Sequence, residues 1–296
     1  PITEEVDLPF RSIAKSTYRG EPVGVMHACG HDAHTAMLMG IAEALVAVRA
    51  QLPGSVVLLF QPAEEGAPDG EEGGAALMLK EGVFERYRPA AIFGQHVSPI
   101  LRTGTIGYRA GPMFAASDSF RIVVRGRGTH GARPWGGIDP IVVAAQIVTT
   151  LQSIVSRQID PADSAVVSVT QVHGGHTWNA LPDSAVIRGT FRSFKNAVRE
   201  QLEHGIQHLA SSVAQSFKLH ADVCFNPENP GYPVTLNNPA ETESAIRAAT
   251  AVAGEQCVNT APIPSMGAED FAFMLQQKPG CYIWIGNGSS DGNCLL

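Results

Sequence analysis

Ser55-Val56-Val57-Leu58-Leu59-Phe60-Gln61-Pro62-Ala63-Glu64-Glu65-Gly66 joins a continuous apolar run to an acidic loop. Pro53-Gly54 turns the chain into the run, which reads as an interior parallel strand, apolar on both faces. Upstream, Met37, Leu38, Ile41, Leu45 and Val48 fall at helical spacing and predict a helix over 35–48. Downstream, residues 75–80 read as a short helix and 90–93 as another buried strand. Strand, helix, strand in this rhythm predicts an α/β fold, a mostly parallel sheet with helices on both faces. Such sheets gather their ligands at the carboxyl ends of strands.

After Gly111-Pro112 the texture changes. Residues 119–125 half-alternate, with Phe120, Ile122 and Val124 on one face and Arg121 and Arg125 on the other. A helix over 140–154 follows, with Asp139 as N-cap and Pro140 in its first turn. Then come strands over 165–172 and 185–191, a helix over about 197–217 and a strand over about 219–225. That β-α-β-β-α-β order is ferredoxin-like. It divides the chain into a first part of a catalytic domain (1–111), an inserted lid (112–228) and the domain's second part (229–296). Helices over 239–253 and 268–277 and a strand over 281–285 complete the second part.

With 296 residues and 44% hydrophobic content the chain is long enough for two domains. A net charge of -7 argues against a nucleic-acid partner. No run of apolar residues is long enough to suggest a membrane span. Cys29, Cys224, Cys257, Cys281 and Cys294 form no CxxC pair, which fits free thiols in a reducing, cytoplasmic setting. The abrupt start at Pro1 and the stop after Asp291-Gly292-Asn293-Cys294-Leu295-Leu296 give the expectation of a chain truncated at both ends.

The chemistry concentrates in three places. Met26-His27-Ala28-Cys29-Gly30-His31-Asp32-Ala33-His34 packs three imidazoles, a thiol and a carboxylate on a turn before the first helix. Thiolate and imidazole together suit a borderline-soft ion such as zinc, with harder or transition ions also possible. Glu64-Glu65 closes the first predicted strand and His96 a later one. Adjacent carboxylates can divide the work, one holding a cation and one acting as general base. Joined, Cys29, His31, Glu65 and His96 are candidate ligands, with Glu64 free and His34 in support. Asp32 could cap the helix or orient a histidine. Two other readings of Cys29 are a small buried hydrophobe or a nucleophile paired with His27 or His31.

In the insert, Gly126-Arg127-Gly128-Thr129-His130-Gly131-Ala132-Arg133-Pro134 is a glycine-rich turn without a phosphate-loop ending. Its His130 could donate to a developing oxyanion. Asn179 and Arg192 offer an amide and a cation suited to a carboxylate-bearing ligand. Glu269 and Asp270 open a helix and read either as caps or, for Glu269, as a neighbour of the cation or of a ligand histidine.

These motifs, from Met26–His34 through Gln61–Gly66, Gly94–Val97, Gly128–Pro140, Asn179–Arg192 and Met266–Leu275, resemble the metal-dependent amidohydrolases of the M20 peptidase family. The likeness is to the branch of hippurate hydrolases, N-acyl-amino-acid amidohydrolases and auxin-conjugate hydrolases. The resemblance implies a zinc-peptidase-like α/β domain interrupted by a ferredoxin-like lid, and a homodimer through that lid. It implies one or two divalent ions (Mn²⁺, Zn²⁺, Co²⁺ or Ni²⁺) on Cys29, His31, Glu65 and His96, with Glu64 as general base. His130 would help bind the scissile carbonyl, often in the neighbouring subunit, and Asn179 and Arg192 would contact an N-acyl amino acid substrate. Deacetylation of diaminopimelate intermediates, small-peptide carboxypeptidase activity and a non-catalytic binding protein on the same fold are the rival readings. Members of the family also carry a longer N-terminal catalytic part and a further ligand histidine that this sequence does not include.

Overall fold

The computed structural model describes residues 2–18, 20–68, 70–228 and 230–288; the last eight residues of the sequence, Cys294 among them, lie outside these. Strands β1 (Lys15–Tyr18) and β2 (Glu21–Gly24) open it as an antiparallel hairpin, largely exposed and without an apolar signal in the sequence. Helix α1 runs His31–Ala47, beginning at His31 rather than at Thr35. Left-handed Gly30 starts it, which draws the His-Asp-Ala-His run into its first turn.

The strand expected over 55–60 does not form a ladder. No strand is assigned over 55–60, no described strand pairs with it, and Val56, Val57 and Phe60 are exposed. An apolar run becomes a strand only when a neighbour takes its backbone donors and acceptors. Leu59 still packs onto the core that follows.

Helices α2 (Gly74–Lys80) and α3 (Val83–Tyr87) lead into β3 (Ile92–Arg102), β4 (Ile106–Gly107) and β5 (Gly111–Phe114). Strand β3 is much longer than the apolar run 90–93. His96 therefore lies inside a strand and not at its end. The insert comprises β6 (Ala116–Arg125), β7 (Thr129–His130), α4 (Pro140–Arg157), β8 (Ala165–Gly174), β9 (Ala180–Leu181), β10 (Ser184–Ser193), α5 (Asn196–Ser216) and β11 (His220–Phe225). The chain closes with β12 (Thr235–Asn237), α6 (Pro239–Ala253), β13 (Val258–Asn259), α7 (Phe271–Gln277) and β14 (Gly280–Gly288).

The insert forms one antiparallel sheet in the order β11-β6-β10-β8, the split β-α-β arrangement expected of a ferredoxin-like unit. Burial alternates strictly along β6 and β10, so Phe120, Ile122, Val124, Ala185, Ile187 and Phe191 face α4 and α5. Helix α4 is long and apolar enough by length and composition to cross a membrane, yet its stripe Val143, Ile147, Leu151 and Ile154 is buried in this core.

The second sheet has the order β13-β4-β14-β3, with β13–β4 and β14–β3 parallel and β14–β4 antiparallel. Alternation along β14 sends Tyr282 and Trp284 into a core with residues of α2, α3 and α7. Cys281 and Ile283 go into another with α6. Helices therefore cover both faces, as the sequence pattern requires of a buried sheet. The two crossings between this sheet and the insert lie side by side, because β5 pairs antiparallel with β12 and Ser117 bridges to Tyr232.

Candidate metal centre

Three pieces of backbone converge. Gly30, with φ 78°, turns Cys29 back over the start of α1, where His31 sits. A Cβ at position 30 would meet Val97 Cγ2 at 2.6 Å, so both the dihedral and the space there call for glycine. From β3, His96 donates Nδ1–H to the Val97 carbonyl at 2.6 Å, which leaves its Nε2 lone pair free. That nitrogen lies 3.5 Å from Cys29 Sγ.

The third piece is a tight turn. Gly66 N–H donates to the Ala63 carbonyl at 3.3 Å, and Ala63 carries a left-handed φ of 56°. Glu64 and Glu65 occupy the centre of that turn, and His31 Nε2 lies 3.8 Å from Glu64 Oε2 and 3.8 Å from Glu65 Oε1. The donor atoms of Cys29, His31 and His96 all lie within 4.8 Å of one another, as do those of His31, Glu64 and Glu65. Ligands held at about 2.0–2.3 Å around one ion stand roughly 3–4 Å apart. The scale and the mixed sulfur, nitrogen and oxygen donors fit a divalent cation.

The electrostatics point the same way. Burial foremost, then Glu269, Asp270 and Glu65, push the Glu64 carboxyl up to about 9. Burial followed by Glu65 pushes the Cys29 thiol up to about 11. A cysteine nucleophile needs its thiolate favoured, and this surrounding disfavours it. A bound cation reverses both shifts, because it supplies the opposite charge that the cluster lacks.

His34 is arranged differently. Val97 N–H donates to its Nε2 at 2.9 Å, so that lone pair is already used. Burial, then His96 and His31, lower its pKa to about 4 and keep it neutral. It supports β3 beside the cluster. Asp32 is exposed in the first turn of α1, and no side-chain cap is made there; it acts on His34 through charge alone.

Glu269 and Asp270 do more than cap. Helix α7 begins after them, at Phe271 rather than at Ala268. Tyr282 O–H donates to Glu269 Oε2 at 2.7 Å, and Phe271 N–H to Oε1 at 3.3 Å. Gln61 Nε2 donates to both Asp270 carboxylate oxygens at 2.7 and 2.9 Å, and Ala75 N–H to Oδ2 at 2.6 Å. The last bond exists because position 74 has no side chain: a Cβ there would lie 2.2 Å from Asp270 Oδ2. Carboxylate oxygens of Glu64, Glu269 and Asp270 again fall within 4.8 Å of one another.

The candidate residues of the insert make other contacts. His130 is exposed, and its Nδ1 accepts from Ala132 N–H at 3.1 Å. Asn179 is joined to the same turn, its carbonyl accepting from Gly131 N–H at 2.7 Å. Among the described residues neither makes a hydrogen bond or ion pair to Cys29, His31, Glu64, Glu65 or His96. Arg192 is half-buried and donates Nη1–H to the Met266 carbonyl at 3.0 Å, on the loop that leads to Glu269.

Residues 1–294 match the Peptidase family M20/M25/M40. The chain belongs to the M20 peptidase family. It is 39% identical over 98% of its length to N-acetylcysteine deacetylase of Bacillus subtilis, of which it covers 71%. It is 36% identical over 95% of its length to hippurate hydrolase of Campylobacter jejuni, covering 70% of that protein. Among solved structures, the Bacillus subtilis YXEP protein, described as a dinuclear metal binding peptidase, superposes with a TM-score of 0.76. That likeness holds at 36% identity over 97% of this chain and 68% of the other.

Within this M20 chain, Tyr232, Tyr282 and Gln61 are the polar groups around the carboxylates that sequence reasoning passed over. Gln61 stands beside the acidic pair and could have been found from that adjacency. Tyr232 and Tyr282 are far from it in the chain, in a proline-rich linker and an apolar strand, where nothing local marks them.

Proposed function

We propose that the chain hydrolyses the amide bond of N-acyl amino acids, of acetyl or benzoyl type, with a divalent cation, and releases the carboxylate and the free amino acid. The observation that carries this is the meeting of Cys29, His31 and His96 with a carboxylate pair on one turn. The names of the deacetylase and hippurate hydrolase relatives support the substrate class. In this reading Cys29, His31, Glu65 and His96 hold the cation. The cation would acidify a water molecule and polarise the scissile carbonyl. Glu64 takes the proton from the attacking water and returns it to the leaving amine. Asp270 and Glu269, fixed by Gln61, Ala75 and Tyr282, hold the carboxylate cluster rigid.

His130, exposed on a turn tied to Asn179, would meet the oxyanion in the site of a second subunit, and Arg192 would serve the substrate carboxylate. Support for a homodimer through the lid comes from β8, which among the described residues is an edge of its sheet with Val172 exposed, and from the full exposure of Trp178. A monomer in sedimentation equilibrium at micromolar concentration would overturn that assembly. The relative described as dinuclear favours two ions, with Mn²⁺, Zn²⁺, Co²⁺ and Ni²⁺ as candidates. We place the catalytic domain at 1–111 and 229–296 and the lid at 112–228. Cys29, Cys224, Cys257 and Cys281 are free thiols, which supports a cytoplasmic location.

The test is amino-acid release from N-acetyl and N-benzoyl amino acids and from dipeptides, with added Mn²⁺, Zn²⁺ or Co²⁺ against a chelated control. Cation-dependent release from the acyl amino acids is expected. Preference for dipeptides would make the chain a carboxypeptidase. Release that survives chelation but not thiol alkylation would hand the chemistry to Cys29, and no release under any cation would leave a binding protein.

A further inference from the structure

The carbonyl of Glu64 is not free. Tyr232 O–H donates to it across a sequence separation of more than half the chain. Tyr232 is no ordinary linker residue either. Its backbone N–H donates to the Ser117 carbonyl at 2.8 Å, and Ser117 N–H donates to the Tyr232 carbonyl at 3.0 Å. The two positions where the chain passes between the lid and the second sheet are thus buttoned together at this residue.

A buried network anchors the same point in the lid. Arg199 of α5 donates through Nε and Nη2 to both oxygens of Asp118, at 2.7 and 2.5 Å. Asn226 Nδ2 donates to Asp118 Oδ1 at 2.8 Å, and Asn226 Oδ1 accepts from Ser119 N–H at 2.8 Å. Asp118 is 2% exposed, and a Cβ on Gly231 would lie 2.0 Å from its Oδ1. Tyr232 therefore follows a backbone position pressed against a fixed carboxylate. On its other side its ring meets Phe273 of α7 edge-on, centroids 6.0 Å apart.

The turn on which Tyr232 acts needs holding. Ala63 is left-handed without being glycine, a conformation that persists only where the surroundings enforce it. One backbone bond, Gly66 to Ala63, closes the turn at 3.3 Å. Tyr232 adds a second hydrogen bond to the backbone of this turn, while the Glu64 carboxylate itself accepts from the Asp270 backbone.

We propose that Tyr232 is a positioning residue: its hydroxyl, anchored on the paired strands beneath the lid, sets the place of Glu64 for catalysis. This rests on the assignment of Glu64 as general base. Geometry of this kind is worth large factors in rate, since small displacements of a reacting group cost up to about a hundredfold.

The test is Tyr232→Phe in the full, cation-loaded chain. Phe retains the ring and its contact with Phe273, so metal content and melting should stay near those of the unaltered protein. The expected result is kcat lower by roughly 10–100-fold with KM little changed. Hydrogen exchange of the peptide spanning 61–66 should quicken. The decisive measurement is the double variant. If Tyr232 works through Glu64, adding Tyr232→Phe to Glu64→Gln costs almost nothing further, whereas independent effects multiply. Unchanged kcat, a rise in KM alone, or multiplication in the double variant would overturn the proposal. Should Tyr232→Phe fold poorly, exchange of 61–66 in Asp118→Asn replaces it, since loosening the anchor should loosen the turn, and unaltered exchange there would likewise overturn it. An inactive unaltered enzyme would instead count against the amidohydrolase assignment, so the two failures are separable.

Discussion

Glu64→Gln should leave the bound cation nearly intact and cut turnover by about 10²–10⁴-fold, the contribution typical of a positioned general base. Gln has the size of Glu and keeps its carbonyl oxygen, so Tyr232, which bonds the backbone, loses nothing. What disappears is the ability to take a proton. The logic depends on which glutamate is altered. Glu65 is 65% exposed at its side chain and Glu64 19%, so Glu64 has the more sheltered place of the two. Metal analysis together with kcat decides the matter. A variant that turns over as before would remove Glu64 from the chemistry, and one that loses its cation would make it a ligand.

The second large effect is on stability. Glu64 is raised to about 9 and Glu269 to about 7, each chiefly by burial, and Asp270 is raised as well. Carboxyls whose folded pKa lies above the unfolded value hold more protons when folded, so their contribution is complete below the ordinary carboxylate range. It is lost as pH rises through 7 and on to 9. The chelated protein should therefore melt at lower temperature at pH 8.5 than at pH 6. With a cation bound, the carboxyls ionise against positive charge, and binding releases protons, so its benefit grows with pH. At a thousandfold excess over Kd the cation adds about 4 kcal/mol, which corresponds to roughly 10 °C in a chain of this size. Melting curves with and without Zn²⁺ or Mn²⁺ at both pH values test this. A gap that does not widen toward pH 8.5 would mean the carboxylates do not face the cation.

Much of this was legible because it is local. The β-α-β-β-α-β order of the insert is written in alternation along β6 and β10 and in the 3.6 period of α4, and the chain folds as those periods require. The closeness of Cys29 and His31 was readable from their spacing, two positions apart across a glycine turn. What escaped is what depends on partners distant in sequence. Residues 55–60 have the composition of a strand, but composition supplies no neighbour. His96 looked like the end of a strand because Gln95, His96 and Ser98 interrupt an apolar run; pairing with β14 carries β3 on past them. Glu269 and Asp270 looked like caps because the groups that claim them, Tyr282, Gln61 and Ala75, come from three other segments.

The bare stretch before Gln61 has a consequence for the acidic turn itself. Among the described residues no backbone hydrogen bond or strand pairing engages 55–60, which Pro53-Gly54 and Pro62 bound, and Val56, Val57 and Phe60 are exposed. A strand paired along 55–60 would splint the segment from which Glu64 and Glu65 hang. Order along that seam and order in the acidic pair would then rise and fall together.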